Sequence, residues 1–140
     1  MTPIVVDASV AVAWFSEEVG SARAQRLQEA TEPLLAPSFL LAEVANALLM
    51  KTKRQQAPAG HATACVTELR RGGIVSLVDL HALVEPASIL AERLTHPIYD
   101  CLYLVLAQRE SAMLATFDRP LAALATRLSI PLWPAQDPAA

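Results

Sequence analysis

Fourteen side chains of this chain are acidic, and four of them stand where charge is out of place. Asp7 ends the apolar run Ile4-Val5-Val6. Glu43 interrupts a long apolar stretch, with Phe39-Leu40-Leu41-Ala42 before it and Val44-Ala45 after it. Asp100 is the only charge between Tyr99 and Ala107, and Asp118 follows Met113-Leu114-Ala115-Thr116. A carboxylate buried without a partner is costly, or it takes up a proton. Four carboxylates in one cleft cannot all ionise unaided, because each raises the pKa of the others. A divalent cation resolves that repulsion. Hard oxygen donors select Mg²⁺ or Mn²⁺, and no His or Cys set favours zinc. A cation held this way activates water against a phosphodiester.

Each of the four has a plainer reading as well. Asp7 and Asp118 precede helical segments and suit helix capping. Asp100 sits in a first helical turn, where the dipole favours an acid. Glu43, Asn46 and Lys53 suit one polar stripe of a helix surface. What favours chemistry is agreement among two acids at strand ends and two in apolar helices, which converge if the strand ends share one sheet edge. Asn46 is the only polar residue on the face of Glu43. Asp79 also follows a strand, but an ordinary amphipathic helix comes next, and it is assigned to capping. Glu17, Glu18, Glu29, Glu32, Glu68, Glu85, Glu92, Glu110 and Asp137 read as solvated.

The elements that must position these acids alternate between short apolar runs and longer helical ones, the pattern of an α/β fold with a mostly parallel sheet. Strands are expected at Pro3 to Val6, Leu34 to Ala36, Ile74 to Val78 and Met113 to Thr116, with Pro131-Leu132-Trp133 as a possible last edge strand. Helices are expected over Ala8 to Phe15, Ser21 to Ala30, Phe39 to Lys53, Pro58 to Arg71, His81 to Leu94, Tyr99 to Arg109 and Leu121 to Leu128. Ala22, Leu27 and Ala30 are the expected inward positions of the second helix. The third is apolar nearly all round, which implies burial on most faces. Pro86 marks an alternative start for its helix, and Gly72-Gly73 stops the one before.

At 140 residues the chain is expected to form one domain over 1–134, with 135–140 as a frayed tail. A hydrophobic fraction of 54% excludes disorder. Net charge is −3, so no basic field announces a nucleic-acid partner. Nine of the eleven bases are Arg; Arg70, Arg71, Arg93, Arg109 and Arg119 are candidates for RNA contact but read individually as surface residues. Cys65 and Cys101 form no zinc-type or redox spacing, which fits a reducing, cytoplasmic compartment. No basic region precedes the first apolar run and no apolar run is long enough to span a bilayer, so no signal peptide and no membrane association are expected.

The stretches Val5-Val6-Asp7-Ala8-Ser9, Pro37-Ser38 through Glu43 to Leu48, Tyr99-Asp100 through Ala107, and Thr116-Phe117-Asp118 resemble the PIN-domain nucleases, and within them the VapC-like toxins of toxin–antitoxin pairs. The resemblance covers essentially the whole chain. It implies a three-layer α/β/α sandwich around a central, mostly parallel sheet of four to five strands. It implies hydrolysis of RNA to a 5′-phosphate and a 3′-hydroxyl with Mg²⁺ or Mn²⁺ as cofactor. It also implies a homodimer and an antitoxin that blocks the site. Asp7, Asp100 and Asp118 would then be metal ligands. Glu43 would bind metal or orient water, and Ser9 and Thr116 would hydrogen-bond the ligands or a substrate phosphate. Asn46, placed by its face of the helix, would support Glu43.

Other readings are less well served by the residues. A phospho-receiver domain wants paired acids after the first strand and a late lysine, and no Lys follows Lys53. Gly20, Gly60, Gly72 and Gly73 make no phosphate-cradling loop, and no nucleophile elbow exists. His61, His81 and His96 share no spacing and read as surface or capping groups. The alternatives that remain are a non-catalytic PIN fold binding RNA or protein, and a PIN nuclease acting in RNA processing or on DNA.

Overall fold

In a computed structural model, which describes residues 1–134, four short strands form one parallel sheet. The expected tail at 135–140 lies outside the described residues. In chain order the elements are β1 (Ile4–Val6), α1 (Ala8–Ala13), α2 (Ser21–Gln28), β2 (Leu34–Pro37), α3 (Leu40–Lys53), α4 (His61–Arg71), β3 (Ser76–Val78), α5 (Val84–Leu94), α6 (Ile98–Glu110), β4 (Met113–Ala115) and α7 (Arg119–Arg127). A single 3-10 turn, Leu80–Ala82, precedes α5. Leu132 adds one parallel bridge beside Leu114, all that forms of the possible fifth strand.

The strand order is β3-β2-β1-β4. From β1 the chain runs outward through β2 to β3, then returns past β1 to lay down β4 on its other side. Right-handed crossovers put the outward helices α1 to α4 on one face and the returning pair α5 and α6 on the other, the three-layer sandwich. The reversal of direction lies between β1 and β4. Ligands in open parallel sheets bind at such a point, outside the carboxyl ends of the strands. In register, Val6 pairs with Ala115, so Asp7 and Thr116 leave the sheet side by side.

Ile4, Val5 and Val6 are fully buried, as a central parallel strand requires. Helix α6 packs across β1, β2 and β4, and every residue from Cys101 to Ala107 is buried. The acid in its first turn, Asp100, therefore stands at the end of a core helix.

Several sequence expectations change. Helix α3 is not buried on most faces: only Leu40, Val44 and Leu48 are buried, and Leu49 and Met50 are 55% and 39% exposed. Spacing of four residues places the buried three on one stripe, and apolar composition elsewhere on the helix does not compel burial. In α2 the inward residues are Ala24 and Leu27; Ala22 is exposed and Ala30 lies past the helix end. Helix α4 starts at His61 because Gly60, at φ 86°, holds a left-handed turn ahead of it. Strand β3 shortens to Ser76–Val78 behind Gly73 at φ 72°. The expected helix from His81 divides into the 3-10 turn and α5, with Pro86 in the first turn, where its missing N–H is not needed. No helix among the described residues is long and apolar enough to cross a membrane.

Candidate active site at the carboxyl edge of the sheet

Asp7 is 5% exposed. Its Oδ1 accepts from Ser9 Oγ at 2.6 Å and from the Val10 backbone N–H at 3.3 Å. Its Oδ2 accepts from Thr116 Oγ1 at 2.5 Å. Ser9 Oγ in turn accepts from the Phe117 N–H at 2.9 Å, and Thr116 Oγ1 from the Asp118 N–H at 3.0 Å. Ser9 and Thr116 are thus turned onto Asp7 and stitch the end of β1 to the end of β4. Asp7 also caps α1, so capping and site placement coexist. Burial nevertheless dominates, and with the nearby charge of Asp118 it pushes the Asp7 carboxyl up to about 6 against the pull of its hydrogen bonds.

Asp118 caps α7 through Oδ1 and the Leu121 N–H at 3.3 Å. Glu43 projects from the first turn of α3, and Tyr103 Oη donates to its Oε1 at 2.5 Å. Burial raises the Glu43 carboxyl above the usual range; the Tyr103 hydrogen bond lowers it, and the charges of Asp7, Asp100 and Asp118 raise it further. Glu43 therefore feels the charges of the three other acids, though less than it feels its own burial. Burial and the Glu43 charge drive the Tyr103 hydroxyl far above its ordinary range, so it remains a fixed donor.

Asp100 enters through α6. Tyr99 beside it stacks on Phe39 with ring centroids 5.1 Å apart, which brings the start of α6 to the start of α3. His96 Nε2 lies 2.7 Å from Asp100 Oδ2.

Ser9, Glu43, Asn46, Thr116 and Asp118 line one cleft of about 920 Å³. Asp7 is tied to it through Ser9 and Thr116, whereas Asp100 does not line it. Asn46 sits beside Glu43 as its helical spacing suggests, and is exposed. Among the described residues, Glu43 Oε2, Asp100 Oδ1 and Asp118 Oδ2 carry no hydrogen bond. As the side chains stand, no three acidic, His or Cys groups among the described residues enclose an ion in common. The donor set itself fits a hard divalent cation: uncommitted carboxylate oxygens whose charges repel one another.

Sequence reasoning missed several residues here. His96 pairs with Asp100, but it lies before α6 begins, so no helical spacing announces the contact. Tyr103 is three residues beyond Asp100 on the same helical face and carries the only hydroxyl in that buried segment. Glu18, read as solvated, lines the cleft and pairs with Lys51 at 2.8 Å. Of the five candidate RNA-contacting arginines only Arg119 lines the cleft, and Arg23 joins it. His61 faces the Phe15 carbonyl and Cys65, away from these residues. Asp79 accepts from the His81 N–H at 2.8 Å, a cap as expected.

Tyr103→Phe is expected to lower turnover about 10–100-fold, the usual scale for a group that orients a ligand from behind. Stability should change by no more than about 2 kcal/mol, because half-buried Glu43 can recruit water. Activity assays beside urea unfolding check both parts.

The PIN domain family model matches residues 4–126. A search of curated proteins finds no match. Among solved structures, the chain is similar to VapC20 of Mycobacterium tuberculosis, described as a sarcin-ricin loop cleaving toxin. The TM-score is 0.71 at 18% identity, over 86% of this chain and 94% of that one. It is also similar to PAE2754 of Pyrobaculum aerophilum, at TM-score 0.67 and 19% identity over 91% and 90% of the two chains. At these identities the likeness is one of fold.

Proposed function

Since the chain belongs to the PIN domain family, we propose that it is a metal-dependent endoribonuclease and the toxin of a toxin–antitoxin pair. The observation that carries this reading is the meeting of Glu43 and Asp118 in one cleft, with Asp7 tied to it through Ser9 and Thr116, at the edge where β1 and β4 diverge. Asp7 and Asp118 also cap helices, but capping gives no reason for carboxylates that repel one another to gather at one edge, whereas a cation site does.

In this reading Asp7, Asp100, Asp118 and Glu43 hold Mg²⁺ or Mn²⁺. When bound, such a cation supplies Lewis acidity that offsets charge developing on a phosphodiester and eases deprotonation of water. Ser9 and Thr116 hold Asp7 in one orientation. Tyr103 fixes one oxygen of Glu43 and leaves the other to orient the attacking water, with Asn46 one turn away on the cleft wall. The scissile RNA would leave a 5′-phosphate and a 3′-hydroxyl. Residues 1–134 act as one nuclease domain.

The cleaving toxin VapC20 supports the toxin reading by its fold. An antitoxin would cover the cleft. Leu49 and Met50 are neighbouring exposed apolar side chains on α3, surface that a second copy in a homodimer would bury. Both cysteines are free and buried, consistent with the cytoplasm, where RNA and antitoxin are met.

The test is incubation of purified protein with total cellular RNA in Mg²⁺ or Mn²⁺. Discrete fragments with 5′-phosphates are expected, and EDTA should abolish them. The same ions should raise the melting temperature, since a ligand at 100 times its Kd stabilises the folded state by about 2.7 kcal/mol. Absence of both cleavage and a melting shift would favour the non-catalytic PIN fold instead, and fragments from DNA alone would reassign the substrate.

A further inference from the structure

We propose that Arg23, held over the ring of Phe117, together with Arg119 forms a phosphate-binding subsite that grips the backbone of single-stranded RNA beside the acids. This inference rests on the ribonuclease reading above and names how that site takes a polyanion.

The problem begins with charge. The chain carries a net −3, and the cleft contains Glu43 and Asp118 with Asp7 behind Ser9 and Thr116. An RNA strand approaching these carboxylates is repelled unless part of the wall is cationic. Arg23 and Arg119 are the two basic residues lining the cleft. Both are exposed, and among the described residues neither forms an ion pair. Glu18, the other acid in the lining, is engaged by Lys51 at 2.8 Å and does not neutralise them. Two arginines left free in a cleft rich in carboxylates are arranged for an anion from outside.

Arg23 is also positioned. Its guanidinium lies 5.4 Å from the centroid of the Phe117 ring, a cation–π distance. The ring is seated against Gly20, where a Cβ would come within 2.5 Å of it. Gly20 precedes α2, and the Trp14 indole N–H ties that helix to α1 by donating to the Ala24 carbonyl at 2.7 Å. The Phe117 backbone N–H donates to Ser9 Oγ, which ties Phe117 to the residue that holds Asp7. Gly20, Phe117 and Arg23 thus form a braced unit that holds a planar, permanently charged fork at the cleft wall. Such a fork matches phosphate oxygens, and less of its freedom remains to be lost on binding.

The experiment measures binding of a short fluorescein-labelled single-stranded RNA by anisotropy across a KCl series, in Mg²⁺. An Asp100→Asn background prevents cleavage. Arg23→Ala should weaken binding about tenfold. It should also reduce the slope of log K against log salt by about 0.7, the signature of one lost phosphate contact on a single strand. Arg23→Lys should retain most of the slope. Phe117→Ala should weaken binding with the slope unchanged, because the charge remains and only its bracing is lost. Arg127→Ala, at the far end of α7 and outside the cleft, should leave both as in the background.

An unchanged slope in Arg23→Ala overturns the subsite while the ribonuclease reading stands, and so does an equal fall in Arg127→Ala. Absence of RNA binding by the Asp100→Asn background itself overturns the two together.

Discussion

Asp100→Asn is expected to lower RNA cleavage about a thousandfold while the protein stays folded. A thousandfold corresponds to about 4 kcal/mol of lost transition-state stabilisation, within the range that loss of an anionic donor from a cation site removes. The substitution is nearly isosteric, and the side-chain carbonyl can still accept from His96. Two effects on the metal-free protein oppose each other. One charge that raises the Glu43 carboxyl disappears, which stabilises. The pair with His96 at 2.7 Å is weakened, which destabilises, but by little because both partners are partly exposed. The melting temperature without metal should therefore move by only a few degrees, and its rise on adding Mn²⁺ should shrink sharply. Cleavage at the wild-type rate would remove Asp100 from the site. A loss of cleavage with a large fall in melting temperature would assign it to the fold instead.

The second large effect is an inverted pH dependence of stability. Asp7 has a carboxyl raised from 3.8 to about 6, so between those values the folded state binds a proton that the unfolded state does not. Stability then falls as pH rises through that window, and the charged form of Asp7 costs the fold about 3 kcal/mol above it. Glu43 is shifted in the same direction. Lowering pH from 7.5 to 5 should stabilise the metal-free protein by about 1.4 kcal/mol through Asp7, a rise of about 5 °C in Tm. Ordinary carboxylates paired in the native state do the opposite. Asp7→Asn should flatten the dependence. Saturating Mg²⁺ should reverse it, because the cation binds the deprotonated site. Calorimetric scans of the two proteins at four pH values decide the matter; equal slopes in wild type and Asp7→Asn would detach the effect from Asp7.

Much of the fold and of the acid set is legible in the residues themselves. Ile4-Val5-Val6 and Met113-Leu114-Ala115 read as strands because apolar runs of that length pair into a buried sheet, and Asp7 and Asp118 mark where each run stops. Asp100 stands out because nothing else between Tyr99 and Ala107 is charged, and that segment is buried from Cys101 onward. The signal at Glu43 is only partly sound. Its helix reads as buried on most faces, yet Leu49 and Met50 face outward, and only the stripe Leu40, Val44 and Leu48 is inside. Composition reports that a face is apolar; it does not report whether a neighbour covers it.

The sequence by itself therefore determined which segments are strands and helices and which acids lie at their ends, since those features arise from interactions among residues close in the chain. Tertiary structure alone decided the partnerships. Tyr103 reaches Glu43 across 60 residues, Thr116 reaches Asp7 across 109, and Arg23 lies over Phe117. None of these pairs leaves a periodic trace, because each depends on the order β3-β2-β1-β4 and on how α2, α3 and α6 pack around it. The return of the chain past β1 places β4 beside it, and that crossover is what brings Asp7 and Thr116 together at one edge of the sheet.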